Sequence, residues 1–189
     1  IESVTVSNCT FNDIDDSGLK IQLNEGGTMK NMTFTNLTMK NVPRPVFMTF
    51  AQQRAFVDSP EEMYPMKEMS TFTFQNLVAD TRALDQNSAF FLTGMPGHNI
   101  ANVVLKDIQF PVAGGGTQAE AARKQLPEYT LETLEGWWPE FHLAGTLPAA
   151  GVYLRHMENV FIDNFQLLTV APDARPSFRF DDVKRVTVR

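Results

Sequence analysis

Six short segments share one pattern of apolar and polar positions. They are Val4-Thr5-Val6, Met32-Thr33-Phe34, Phe72-Thr73-Phe74, Val103-Val104-Leu105, Val160-Phe161-Ile162 and Val186-Thr187-Val188. The first and third residues are apolar in every copy, the period-2 signature of a strand with one buried face. Two residues past the triplet stands Asn8, Asn36, Asn76, Asp107 or Asn164. Asn and Asp tolerate the left-handed conformation and hydrogen-bond their own backbone, so they suit a tight corner. Apolar residues follow each corner at Cys9, Leu37, Leu77, Ile108 and Phe165, and again at Phe11, Met39, Ala79, Phe110 and Leu167.

A second set of strands comes after each corner. Their inward positions are Leu19, Val46, Phe90, Val152 and Phe178, then Ile21, Met48, Leu92, Leu154 and Phe180. The position between them points outward and holds Lys20, Phe47, Phe91, Tyr153 and Arg179. The first-strand copies begin at positions 4, 32, 72, 103, 160 and 186, so their spacings are 28, 40, 31, 57 and 26 residues. A core pattern that persists while the spacing varies is the mark of a solenoid with loops inserted between its turns. With several strands per repeat, the expected form is all-β, a parallel β-helix in one domain spanning residues 1–189. A β-sandwich also alternates, but it does not require a corner Asn or Asp at one fixed offset in five copies.

Two insertions interrupt the repeat, at about 51–68 and 113–148. The second opens with Gly114-Gly115-Gly116, read as a hinge. Next comes Thr117-Gln118-Ala119-Glu120, which has capping-box form and predicts a short helix through about Gln125, stopped near Pro127. Trp137 and Trp138 lie further along, where they either stack on sugar rings or pin the loop. Packing is the favoured reading, because large aromatics anchor long loops. The triple glycine lacks the lysine and Ser/Thr of a phosphate-binding loop.

The net charge of −6 argues against nonspecific nucleic-acid binding, and no apolar run is long enough for a membrane helix. A lone Cys9 excludes an internal disulfide and a multi-cysteine metal site. No cofactor or metal is expected. The Asn-x-Thr sequons at Asn8, Asn31 and Asn36 suggest glycosylation, but for Asn8 and Asn36 the corner repeat is the preferred origin. His98, His142 and His156 lack helical metal spacing and read as loop or surface residues. Asp15-Asp16 precedes Ser17-Gly18 and reads as a turn, and Asp181-Asp182 follows a strand end. Adjacent strand residues face opposite ways, so neither pair is placed to flank one glycosidic bond. Lys20, beside an aromatic outward column, either suits a carboxylated sugar or covers that face as a surface lysine.

The stretches VTVSNCTFNDIDDSGLKIQ and GGTMKNMTFTNLTMKNVPRPVFM resemble the pectin-degrading polygalacturonases of glycoside hydrolase family 28. WPEFHLAGTLPAAGVYLRHMENVFIDNFQL and PDARPSFRFDDVKRVTV are similar to the C-terminal coils of its bacterial members. The resemblance implies a right-handed parallel β-helix, an inverting hydrolase acting on galacturonate-containing pectic polysaccharide, and a periplasmic or extracellular monomer. The family's Asn-Thr-Asp, Asp-Asp and Gly-His-Gly motifs are not matched, and only its Arg-Ile-Lys strand is represented, as Lys20-Ile21-Gln22. The catalytic aspartates are therefore expected on upstream coils, with none in this segment. Lys20, Gln22, Gln52 and Arg54 match substrate-binding positions. Lys20 in place of Arg loses the bidentate fork, and Gln22 in place of Lys loses a charge. Both changes point to a branched or modified pectin such as rhamnogalacturonan. The rival reading is a non-catalytic carbohydrate-binding β-helix. A calcium-dependent lyase lacks the acidic cluster it needs.

Overall fold

A computed structural model describes residues 1–52, 64–84, 89–135 and 137–189. Among the described residues there are nine strands: β1 (Glu2–Asn12), β2 (Ser17–Leu23), β3 (Gly27–Lys40), β4 (Arg44–Phe50), β5 (Met66–Asp80), β6 (Phe90–Thr93), β7 (Ile100–Val112), β8 (Val152–Thr169) and β9 (Phe178–Val188). All pair in parallel within one sheet, ordered β1-β3-β5-β7-β8-β6-β4-β2, with β9 also on β8. β1, β3, β5 and β7 run down one side of this path and β2, β4 and β6 down the other, while the long β8 pairs with both β7 and β6, and β9 pairs with β8 along both stretches. The fold is all-β and its paired strands are parallel.

The register follows the sequence columns. Val4 pairs with Met32, Met32 with Phe72, Phe72 with Val103, Val103 with Val160 and Val160 with Val186. In the second set Lys20 pairs with Phe47, Phe47 with Phe91, Phe91 with Tyr153 and Tyr153 with Arg179.

The corners adopt the expected conformation. Asn8, Asn36, Asn76, Asp107 and Asn164 all have φ between 51° and 57°. Their amides form ladders: Asn36 Nδ2 donates to Asn8 Oδ1 at 3.0 Å, Asn76 Nδ2 to Asn36 Oδ1 at 2.8 Å and Asn164 Nδ2 to Asp107 Oδ1 at 2.9 Å. Each bond between neighbouring strands offsets part of the cost of turning the chain there. A second left-handed column, not read from the sequence, runs through Ser3, Asn31, Thr71, Asn102, Asn159 and Arg185. It places a second bend within β1, β3, β5 and β7 and gives Asn31 a structural role as well.

Two apolar clusters result. The inward columns form one core, with Phe34 and Phe74 stacked at 5.0 Å between ring centroids. A second core lies on the outward face of β4, β6 and β8. There Phe47, Phe91 and Tyr153 are buried under Leu126, Tyr129, Leu134, Phe141, Ala144 and Leu147 of the 113–148 insertion. The aromatic column, left open between a sugar-facing surface and a face covered by Lys20, is thus a packing surface beneath the insertion.

The insertion holds two short helices, α1 (Gln118–Ala121) and α2 (Leu131–Leu134), and a 3-10 turn at Phe141–Ala144. Thr117 caps α1 through the full capping box, but the helix ends at Ala121 rather than near Gln125. The triple glycine is no hinge. Gly115 N–H donates to Pro172 O at 3.1 Å and Ala174 N–H to Gly116 O at 2.9 Å, so it runs paired with the following loop. Gly114 has φ +77°, and a Cβ there would collide with the Ala171 carbonyl. The Trp pair also departs from expectation: Trp137 is 74% exposed and Trp138 42%. Tyr129 and Phe141 fill the outer core instead. Glu135 in the left-handed conformation ends α2, and Trp137 N–H donates to Leu134 O at 2.7 Å. Among the described residues, no helix is long and apolar enough to cross a membrane.

Candidate functional site

Lys20 and Gln22 occupy alternate outward positions of β2, which is bonded on one side to β4. Period-2 alternation sends both away from the core that holds Leu19 and Ile21. Both meet the same piece of the insertion. Lys20 Nζ donates to the two carboxylate oxygens of Glu140, each at 2.6 Å. Gln22 Nε2 donates to the Pro139 carbonyl oxygen. Gln52 reaches that segment through its backbone, its N–H donating to Tyr129 O at 3.1 Å. Three of the four candidate positions therefore meet Tyr129, Pro139 or Glu140 of the insertion, and Arg54 lies outside the described residues.

Tyr129 and Glu140 are firmly held. Tyr129 OH donates to Glu140 O at 2.7 Å. Phe141, the next residue, is buried with its ring 5.6 Å from Phe47 and 5.5 Å from Phe91. The Arg44 guanidinium lies 5.2 Å over the Phe141 ring, a cation–π contact. Burial pushes the Tyr129 hydroxyl far above its ordinary pKa, so it stays a neutral donor. The Lys20–Glu140 pair sits at the rim of this packing, with 33% and 25% of the two side chains exposed.

Further along the outward face, Gln22, Thr49, Thr93, Arg155 and Asp181 form the neighbouring column. Arg155 is fully buried. It donates from Nε to Thr93 Oγ1 at 2.9 Å, from Nη1 to Leu126 O at 3.2 Å and from Nη2 to Pro127 O at 3.0 Å. Its charge is met by Glu128 at 3.5 Å and by the faces of Phe91 and Tyr129, each 5.9 Å away. His156, at a left-handed corner with φ 49°, lies between two carboxylates. As an imidazolium it donates from Nδ1 to Asp182 Oδ2 at 2.7 Å and from Nε2 to Glu128 Oε1 at 3.1 Å. Burial opposes this charge, but the bonds to Glu128 and Asp182 prevail and raise its pKa above the ordinary imidazole value. Tyr153 OH donates to Asp181 Oδ2 at 3.0 Å.

Asp15 and Asp16 lie in the turn between β1 and β2, as expected, and Arg44 Nη1 donates to Asp16 Oδ1. Asp181 and Asp182 are not a bare strand end, because β9 continues through them to Val188. Among the described residues, no group of three or more His, Cys, Asp or Glu side chains is arranged to hold a metal ion.

Glu140, Pro139, Tyr129, Arg155 and His156 were not read as site residues. The outward register of Arg155 with Gln22 was available from the strand alignment. The pairing of Lys20 with Glu140, 120 positions apart, carries no local signal. Comparison with family models, curated proteins and solved structures finds no match to this chain.

Proposed function

We propose that this chain forms the C-terminal part of a right-handed parallel β-helix in a polygalacturonase-like glycoside hydrolase. Its substrate is a galacturonate-containing pectic polysaccharide, cleaved with inversion. The catalytic aspartates lie on coils upstream of Ile1, and the described outward face of β2 contributes sugar contacts beside them. The observation that carries this reading is the placement of Lys20 and Gln22. They match the family's basic strand, stand together on an outward face, and lie on a strand bonded to β4 on one side only among the described residues. Lys20 and Gln22 bond Glu140 and Pro139, which directly follow the exposed Trp137 and Trp138 in sequence, Gln52 meets Tyr129 through its backbone, and Arg54 belongs to the same set by its sequence position. An aromatic ring beside polar groups is the usual composition of a sugar-stacking surface. Strands that pair as two parallel columns joined through β8 and β9, with a left-handed corner ladder, support the β-helix.

The exposure of Trp137 favours a second reading, a carbohydrate-binding β-helix with no catalytic coils. The sequence encoded upstream of Ile1 separates the two. Asn-Thr-Asp, Asp-Asp and Gly-His-Gly motifs there support the hydrolase, and their absence supports the binder.

An assay on the chain itself tests where the catalytic groups lie. Incubated with polygalacturonate or rhamnogalacturonan, the 189-residue protein is expected to release no new reducing ends. Cleavage abolished by Asp16→Asn, Asp181→Asn or Asp182→Asn would place the catalytic carboxylates within this segment and sink the assignment.

A further inference from the structure

We propose that Glu140 is a specificity-determining residue: it occupies Lys20 as a substrate carboxylate would, and so reserves this rim for a neutral sugar. The inference rests on the pectic reading of the site and narrows it. The Lys20 ammonium is satisfied by both oxygens of Glu140 at 2.6 Å. A uronate approaching Lys20 meets a paired cation and a fixed negative charge, which repels it at short range. The backbone that carries Glu140 is anchored on both sides. The Glu140 carbonyl accepts from Tyr129 OH, the preceding carbonyl at Pro139 accepts from Gln22 Nε2, and Phe141 is buried behind it. These contacts fix the backbone from which the carboxylate reaches Lys20.

The partly exposed pair offers a different chemistry. Carboxylate oxygens accept hydrogen bonds from sugar hydroxyls, and Lys20 has three N–H bonds to distribute. Trp137, three residues before Glu140, supplies an exposed apolar face of the kind that stacks on a pyranose ring. Acceptors for sugar hydroxyls, with a stacking face and no free cation, fit a neutral hexose or deoxyhexose. A pectic chain with neutral sugars between its galacturonates satisfies this position without displacing Glu140.

Calorimetric titration of the full chain with two matched probes tests this. One is a trisaccharide of galacturonic acid and the other the corresponding trisaccharide of galactose, which differ only in carboxylate against hydroxymethyl. The wild-type protein is expected to prefer the galactose probe by about tenfold or more. Glu140→Gln keeps the side-chain shape and an oxygen that accepts from Lys20. It is expected to gain about tenfold or more for the galacturonate probe, which is about 1.4 kcal/mol. Adding Lys20→Met should remove that gain, and thermal melting of each variant checks that it remains folded. An unchanged galacturonate affinity in Glu140→Gln, or a gain that survives Lys20→Met, overturns the role of Glu140 and leaves the pectic reading standing. Failure of both probes to bind either the wild type or Glu140→Gln removes both.

Discussion

Asn36 shows most clearly how one residue type satisfies two demands. It adopts φ 55°, accepts from Asn76 Nδ2 at 2.8 Å and donates to Asn8 Oδ1 at 3.0 Å. An alanine there loses both bonds and bears the left-handed penalty of about 1–2 kcal/mol. Asn36→Ala is therefore expected to destabilise the fold by about 2 kcal/mol or more, with Asn36→Gly losing less because glycine keeps the conformation. Denaturant unfolding of the two variants checks this, and equal losses would mean that the corner conformation contributes little. These corners were legible because left-handed geometry selects Asn and Asp locally. The second corner column was not, because Ser3, Thr71 and Arg185 lack that preference and are held there by neighbouring strands. Lys20 was legible as an outward cation, and its partner Glu140 was not.

Among the elements, the 113–148 insertion departs most from its sequence reading. Its capping box at Thr117 is a local motif and appears where expected. Its path over the outward face is decided by distant contacts: Phe141 and Tyr129 against Phe47 and Phe91, and Arg155 against the 126–127 carbonyls. His156 joins the insertion to β9 through Glu128 and Asp182, with the Arg155 guanidinium opposing its charge. Its pKa is raised in the folded protein from the ordinary 6.5. The stabilisation is thus complete below that value and is lost as pH rises through the higher folded one. The melting temperature is expected to decline as pH rises above 6.5 and to level off once the folded imidazolium has lost its proton, and His156→Asn, which tolerates the corner but does not titrate, should flatten that slope. A slope identical in both proteins would show that His156 does not link the two elements electrostatically.

Across the whole molecule, the columns of apolar residues set the pairing order, and every first-set pair matches the register in the structure. They were readable because a one-residue slip would turn each buried face outward. The second core was not readable as such: an outward aromatic column has the same pattern whether sugar or protein covers it. Here the insertion covers Phe47, Phe91 and Tyr153 and leaves the Lys20 end as the rim beside the exposed tryptophans. If that rim holds pectic sugar, amide and indole resonances will register it. In a nitrogen-15 NMR titration with rhamnogalacturonan oligosaccharides, shifts should concentrate at Lys20, Gln22, Gln52, Glu140 and the Trp137 indole N–H. Saturating oligosaccharide that leaves these resonances unmoved, or moves only residues elsewhere, would contradict a sugar site at the outward face of β2.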